Sequence, residues 1–121
     1  MPHLRIETNL PKSKVPADFT QRTCAVVAKA LGKPVNYCVV TIVPDTIMSM
    51  GGTTDPCAQT TLMSIGKLGK EQNKSHSEVL FDHINKELGI PPDRMYITYK
   101  DAAATDVGFN GTTFHYIFGG S

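Results

Sequence analysis

The 121-residue sequence has too few cysteines, too little excess charge and too short an apolar run for most specialised protein classes. Its three cysteines, Cys24, Cys38 and Cys57, are odd in number and widely spaced, which fits neither a disulfide framework nor a zinc site. Lys and Arg number 12 against 11 Asp and Glu, for a net charge of +1, and no basic stripe forms. Nucleic acid and anionic membrane surfaces are therefore poor partners on electrostatic grounds. No stretch approaches the roughly 20 apolar residues of a membrane span, so no membrane insertion is expected. Polar Glu7, Thr8, Asn9 and Lys12 come too early for a signal peptide, and the expected location is the cytoplasm. A nucleophile elbow, a phosphate loop and an HExxH pair are all missing, which removes most enzyme classes.

What is present reads as one domain over residues 1–121, organised as strand, helix, strand, twice over. Leu4 and Ile6 alternate with Arg5 and Glu7, the period of a strand. Ser13 or Asp18 can cap the helix that follows, where Phe19, Thr23, Val26, Val27, Ala30 and Leu31 recur at helical spacing before Gly32. "YCVVTIV", residues 37–43, is rich in β-branched side chains and reads as the second strand. The second half repeats the order: strand "QTTLMSIG" (59–66), helix "SHSEVLFDHINKELG" (75–89) and strand "RMYITY" (94–99). "MGGTTDPC" between the halves reads as a flexible connection, and "TTFHYIF" as a short apolar closing piece. Tandem βαβ units predict an α+β, two-layer fold: a four-stranded mixed sheet with two helices on one face.

Two helices cover only one face of such a sheet. In residues 37–43 both alternating sets are apolar, Tyr37, Val39 and Val43 against Cys38, Val40 and Ile42. A strand of that kind expects burial on both sides. The uncovered face would be a larger apolar patch than monomers usually tolerate, and closed self-association removes it. An oligomer is therefore expected.

Candidate chemical groups are few. Methionine before a small residue is normally trimmed, which would expose the secondary amine of Pro2. An α-amino group titrates near pH 7.7–8.0, and burial or a neighbouring cation lowers that value toward one useful for a general base. Taken alone, a strand that merely begins with proline is the simpler account. Lys33, between Gly32 and Pro34, is an ordinary helix-end cation or an anion clamp. "SIGKLG" (64–69) is a plain turn or a strand end whose backbone N–H faces a ligand. Tyr96 and Tyr99 lie on opposite faces of their strand, where packing is the simpler role. His76 and His83, seven apart, share a helix face; with no third ligand they read as solvated side chains rather than metal ligands.

In order and spacing, "MP", "TNLP", "VPADF", "GKP", "VPD", "GGTTDPCA", "SIGKLG", "SHSEVLFDHI", "DRMYITYKD" and "VGFNGTTF" span nearly the whole chain. Together they resemble the macrophage migration inhibitory factor and D-dopachrome tautomerase family of the tautomerase superfamily. "DPCAQ" is nearer the D-dopachrome branch; "MYITY" and "VGFNGTTF" are nearer the inhibitory factors, and these C-terminal segments shape the pocket. The resemblance implies a homotrimer whose sheets wrap a central channel, which would cover the open face.

It also implies site residues. Pro2 becomes the catalytic base in a pocket between subunits. Lys33, the backbone N–H of Ile65, Tyr96 across the interface and Thr98 bind substrate. His3, Tyr37, Val107, Phe109 and Phe114 line the pocket. Thr98 stands where relatives carry asparagine, and Phe109 replaces the usual tryptophan and loses its N–H. Thr60 replaces the second cysteine of the inhibitory factor's CxxC pair, so dithiol chemistry lacks a thiol. The implied reaction is keto–enol tautomerisation of an α-keto acid such as phenylpyruvate, or of dopachrome-like compounds, with no metal or organic cofactor. A leaderless secreted ligand for a cell-surface receptor is the alternative from another class, and a scaffold with a vestigial pocket the plainest one. The tail "HYIFGGS" runs past the family's common end.

Overall fold

A computed structural model of the chain describes residues 1–119; Gly120 and Ser121, the end of the tail, lie outside the described residues. Strand β1 (His3–Thr8) leads through helix α1 (Phe19–Leu31) to β2 (Val39–Val43). Strand β3 (Ala58–Ser64) leads through α2 (Lys70–Leu88) to β4 (Met95–Asp101). A two-residue hairpin, β5 (Gly108–Phe109) and β6 (Thr112–Thr113), and a single turn, α3 (Phe114–Ile117), close the chain.

The four long strands form one mixed sheet in the order β2-β1-β3-β4. Each βαβ unit supplies a parallel pair, and β1 meets β3 antiparallel at the centre, with His3 opposite Met63. This register brings the start of β1, the start of β2 and the ends of β3 and β4 to one end of the sheet.

Alternation fixes which face is buried. Leu4, Ile6 and Thr8 of β1 and Ala58, Thr60, Leu62 and Ser64 of β3 point toward the helices and are buried. They meet Phe19, Val27 and Leu31 of α1 and Leu80, Ile84 and Leu88 of α2 in one core. Each fully buried aliphatic side chain there contributes about 1.5–3 kcal/mol. Arg22 of α1 joins the helices at the surface, pairing with Asp18 at 2.9 Å and with Glu87 of α2. Asp18 holds the N-cap position of α1 without a capping bond, because its carboxylate is engaged by Arg22. Gly32 and Gly89 end the helices in left-handed conformations, φ 64° and 72°, as the sequence leads one to expect.

Four expectations change. Tyr37 belongs to a 3-10 turn (Val35–Tyr37) after Pro34, so the second strand begins at Val39. Helix α2 begins at Lys70, because the polar stretch "KEQNK" forms helix without any apolar periodicity to announce it. The connection through Gly51 and Gly52 is pinned: Asn9 donates to the carbonyls of Thr54 and Asp55, and Arg94 donates to those of Met50 and Asp55 at 2.8 and 2.9 Å. The open face of the sheet is mixed rather than apolar. It carries Arg5, Glu7, Thr41, Gln59, Thr61, Thr98 and Lys100 beside Val39, Val43, Met63 and Tyr96, because the other strands place polar residues where β2 places valines. Such a face suits a wet interior better than a dry interface. Among the described residues, no helix is long and apolar enough to cross a membrane.

Candidate functional site

The shared end of the sheet collects the candidate chemistry. Pro2 is buried immediately before β1, and its carbonyl accepts from the Val39 N–H at 3.0 Å, which fixes the entry of the chain beside β2. Lys33 follows the left-handed Gly32 at the end of α1, so its half-buried side chain turns back over the strand ends. There its Nζ donates to the carbonyl of Ile65, just past β3. Three remote segments thus meet at one crevice.

The electrostatics follow from that meeting. The N-terminal ammonium group, carried by Met1 in the encoded chain, is lowered from 8.0 to about 5. Burial is the leading cause, followed by hydrogen bonding from Lys33 and repulsion by its charge. Cys38 shares the crevice. Burial pushes its thiol up, with the neighbouring Cys24 adding to the rise, while the amine and Lys33 oppose it.

The Ser64–Gly69 turn leaves backbone donors unused, the first of them next to Lys33. Ser64 O accepts from Ala102 N–H at 2.9 Å, Gly66 N–H donates to Asp101 Oδ1 at 2.9 Å, and the Ile65 carbonyl is held by Lys33. The Ile65 N–H has no partner among the described residues. Beside the crevice stands an aromatic wall. Tyr37 meets Phe109 and Phe114 edge-on at centroid distances of 5.5 and 5.7 Å, and those two rings stack at 5.6 Å. Val107 anchors the wall by accepting from the Phe114 N–H at 3.0 Å. Phe118, in the tail, adds a further ring 5.3 Å from Phe114.

Three of the expected residues lie elsewhere in the subunit. His3 points onto the open face, where its Nε2 pairs with Thr41 Oγ1 at 3.1 Å. Tyr96, the second residue of β4, lies at the opposite end of the sheet and is 64% exposed. Five residue steps along the strand separate it from Asp101, about 16 Å at roughly 3.3 Å per residue, well beyond the reach of a tyrosine. Thr98, on the same face, accepts from Gln59 Nε2 at 3.2 Å. Neither can join Pro2 within one copy of the chain.

The sequence carries no sign of a role for Asp101, and the expectation that His76 is solvated does not hold. Asp101 holds the Ile65 turn through a backbone N–H, a role for which the residue type leaves no signal. His76 is not solvated but 6% exposed, its Nε2 bound to the Lys67 carbonyl at 2.8 Å and its ring tilted against Tyr99. A carbonyl only accepts, so Nε2 carries the proton. His83 is half-buried, bonded to Thr23 Oγ1 at 2.9 Å and stacked on Phe19, and burial lowers its pKa. Both helix histidines are structural because α2 turns that face toward the sheet and α1. Among the described residues, no three acidic, histidine or cysteine side chains cluster closely enough to hold a metal.

Comparison with known proteins gives concordant results. The family model "Macrophage migration inhibitory factor (MIF)" matches residues 1–115. The chain is 48% identical to the macrophage migration inhibitory factor of Xenopus laevis over 114 residues, 94% of this chain and 99% of that protein. It is equally 48% identical to the homologue from Trichinella spiralis, over 94% of this chain and all of that protein. The solved structure of the Trichinella spiralis factor superposes with a TM-score of 0.90 at 46% identity, covering 93% and 99% of the two chains. A homologue from Prochlorococcus marinus gives 0.84 at 33% identity, covering 93% and 98%.

Proposed function

The chain belongs to the macrophage migration inhibitory factor family, and from that premise we propose that it is a keto–enol tautomerase that uses Pro2 as its base. The observation that carries this reading is the lowered pKa of the N-terminal amine, in a crevice shared with Lys33 and the free Ile65 N–H. Removal of Met1 leaves the ring nitrogen of Pro2 as that amine, one residue further into a buried position. Burial and Lys33 then act on it as they act on Met1, and it is neutral at physiological pH.

A neutral secondary amine removes a proton from the carbon next to a carbonyl and returns it to the other end of the enol. Lys33 pairs with the carboxylate of an α-keto acid such as phenylpyruvate; its ammonium group has three donors, of which the Ile65 carbonyl occupies one. The Ile65 N–H orients the same carboxylate. Developing enolate charge is met by donors already in place, an arrangement worth several kcal/mol, about 2.7–4 per well-placed donor. Tyr37, Phe109 and Phe114 receive the aryl ring and exclude water, and Val107 holds the wall. Dopachrome-like rings fit the same wall.

Tyr96 and Thr98 complete the pocket from a neighbouring copy, since their own subunit places them too far away. A homotrimer closed around the mixed open face satisfies this requirement and turns that face toward a central channel, where His3 lines the border. One domain over residues 1–121 supplies every part, and the chemistry calls for no metal or cofactor.

The test is intact-mass measurement of the native N-terminus, followed by assay of phenylpyruvate tautomerisation by the wild type and by Pro2→Gly. Loss of most turnover with the oligomer unchanged is expected; full activity in the variant, or a retained Met1 in the active protein, removes Pro2 from the mechanism. The relatives are named for inhibition of macrophage migration, which supports a second reading, a secreted factor that acts on a cell-surface receptor. Receptor binding that survives Pro2→Gly would make catalysis incidental to that role.

A further inference from the structure

The turn that carries the Ile65 N–H is held more firmly than substrate binding by a backbone amide requires. Gly66 and Lys67 both have left-handed backbones, φ 73° and 64°. For glycine that conformation is free; for lysine it is uncommon and needs outside support. The support comes from three directions. His76 of α2 donates to the Lys67 carbonyl, Lys33 to the Ile65 carbonyl, and Asp101 at the end of β4 accepts from the Gly66 N–H. The peptide plane between Ile65 and Gly66 is therefore tied at both its oxygen and its hydrogen. The plane between Ser64 and Ile65 is tied only at its oxygen, by Ala102. Its hydrogen, on the Ile65 nitrogen, is left without a partner among the described residues, as are those of Lys67 and Leu68 further along the turn. Every bond in the turn fixes the direction of this donor without consuming it.

We propose that Asp101 is a positioning residue for carboxylate recognition: by accepting the Gly66 N–H, its side chain aims the unpaired Ile65 N–H into the crevice beside Lys33. This rests on the tautomerase reading for the identity of the ligand, an α-keto carboxylate. Asp101 does not touch that ligand. Its negative charge near an anion site works against binding, so the hydrogen bond and not the charge is the useful part. That makes the proposal separable from a general electrostatic effect, because the Asp101→Asn substitution keeps an accepting oxygen and loses the charge.

The experiment compares wild type, Asp101→Ala and Asp101→Asn in two measurements: phenylpyruvate kinetics, and titration of phenylpyruvate into 15N-labelled protein while following the Ile65 amide resonance. Asp101→Ala is expected to raise KM by about three- to tenfold with kcat within about twofold, the pattern of lost positioning of a binding group. Asp101→Asn is expected to stay within about twofold of wild type. An unchanged KM in Asp101→Ala, or an equal rise in both variants, overturns the proposal, as does a wild-type Ile65 resonance that ignores the ligand. An Ile65 response that depends on Asp101 in a protein without turnover would support the proposal and defeat the tautomerase reading alone. Asp101 is exposed, so its replacement should leave folding intact. Should Asp101→Ala not fold, His76→Leu against His76→Gln probes the neighbouring anchor. Only the glutamine can still donate to Lys67, and equal KM values in that pair count against a positioned turn.

Discussion

Replacing Lys33 by alanine tests the electrostatic core of the site. In the encoded chain the N-terminal amine, carried by Met1, is lowered from 8.0 to about 5, which is about a thousandfold loss of proton affinity. Burial is the larger cause and Lys33 supplies the next two, by hydrogen bonding to the amine and by charge repulsion. The sign is set by the mechanism. The base works uncharged, so kcat/KM holds at high pH and falls as pH drops through the pKa of the free enzyme. With Met1 removed, the same burial and the same cation act on Pro2, so the wild-type acid limb should lie below 8. Lys33→Ala removes the cation and leaves the burial, so the limb should move up and stop short of 8.0. Between the two limbs the variant then loses turnover through protonation of its base, besides the higher KM that follows from the missing carboxylate partner. The assay is the pH dependence of kcat/KM for phenylpyruvate between about pH 4 and 9. A wild-type limb near 8, or a Lys33→Ala limb that stays put or moves to lower pH, refutes the reasoning, because Lys33 would then not be holding the amine neutral.

Three other perturbations reach different parts of the fold. Pro2→Gly and Tyr96→Ala subunits, each inactive or weakened alone, should complement when unfolded and refolded together; random assembly makes about a quarter of the sites intact. No recovery at all would place Tyr96 outside the site. Thr60→Val deletes a buried hydroxyl that has no hydrogen-bond partner among the described residues, and should leave stability unchanged or raise it by about 1 kcal/mol; a clear fall in the urea midpoint would mean that the hydroxyl is satisfied. His83 is held neutral by burial, with Glu87 and Asp82 favouring its charge and Arg22 opposing it. Because the unfolded state takes up a proton near 6.5 that the folded state resists, stability should fall as pH drops below that value. His83→Gln should flatten this dependence between about pH 7 and 5, whereas the carboxylates of Asp18 and Glu87, lowered by Arg22, contribute only at more acid pH.

Much of the fold was legible because burial and periodicity coincide. Leu4 and Ile6 alternate in sequence and are buried in the sheet, and α1 ends at Gly32 where its apolar spacing stops. Legibility failed where burial and hydrophobicity part company. In β3 the buried set is Ala58, Thr60, Leu62 and Ser64, of which only Leu62 is large and apolar; the helices press closely enough there to favour small side chains. The first turns of α2 are polar on every side and gain their helical state from the tertiary packing further along, so no periodic signal marks them. His76 is polar by type and buried by place, satisfied by a carbonyl from a turn nine residues earlier.

The candidate site divides along a related line. Side chains whose chemistry is unusual wherever they occur, a second-position proline and a lysine after a helix-ending glycine, stand out in the sequence even though each alone has a plainer explanation. Groups that act through the backbone do not stand out. The Ile65 N–H is a feature of a conformation rather than of isoleucine, and nothing about an aspartate at the end of β4 says that its carboxylate closes on Gly66, 35 residues earlier. The same holds between copies of the chain. Tyr96 and Pro2 sit at opposite ends of one sheet, and no pattern along a single chain encodes the rotation that would bring one to the other. What the sheet register does supply is the constraint that any such rotation must meet: the amine end of one copy against the Tyr96 end of the next, a head-to-tail contact. Such a contact, repeated in one direction, closes into a ring. A two-fold pair whose axis runs along the strands would set like ends together and leave every pocket without its tyrosine, whereas a pair with antiparallel strands meets the constraint.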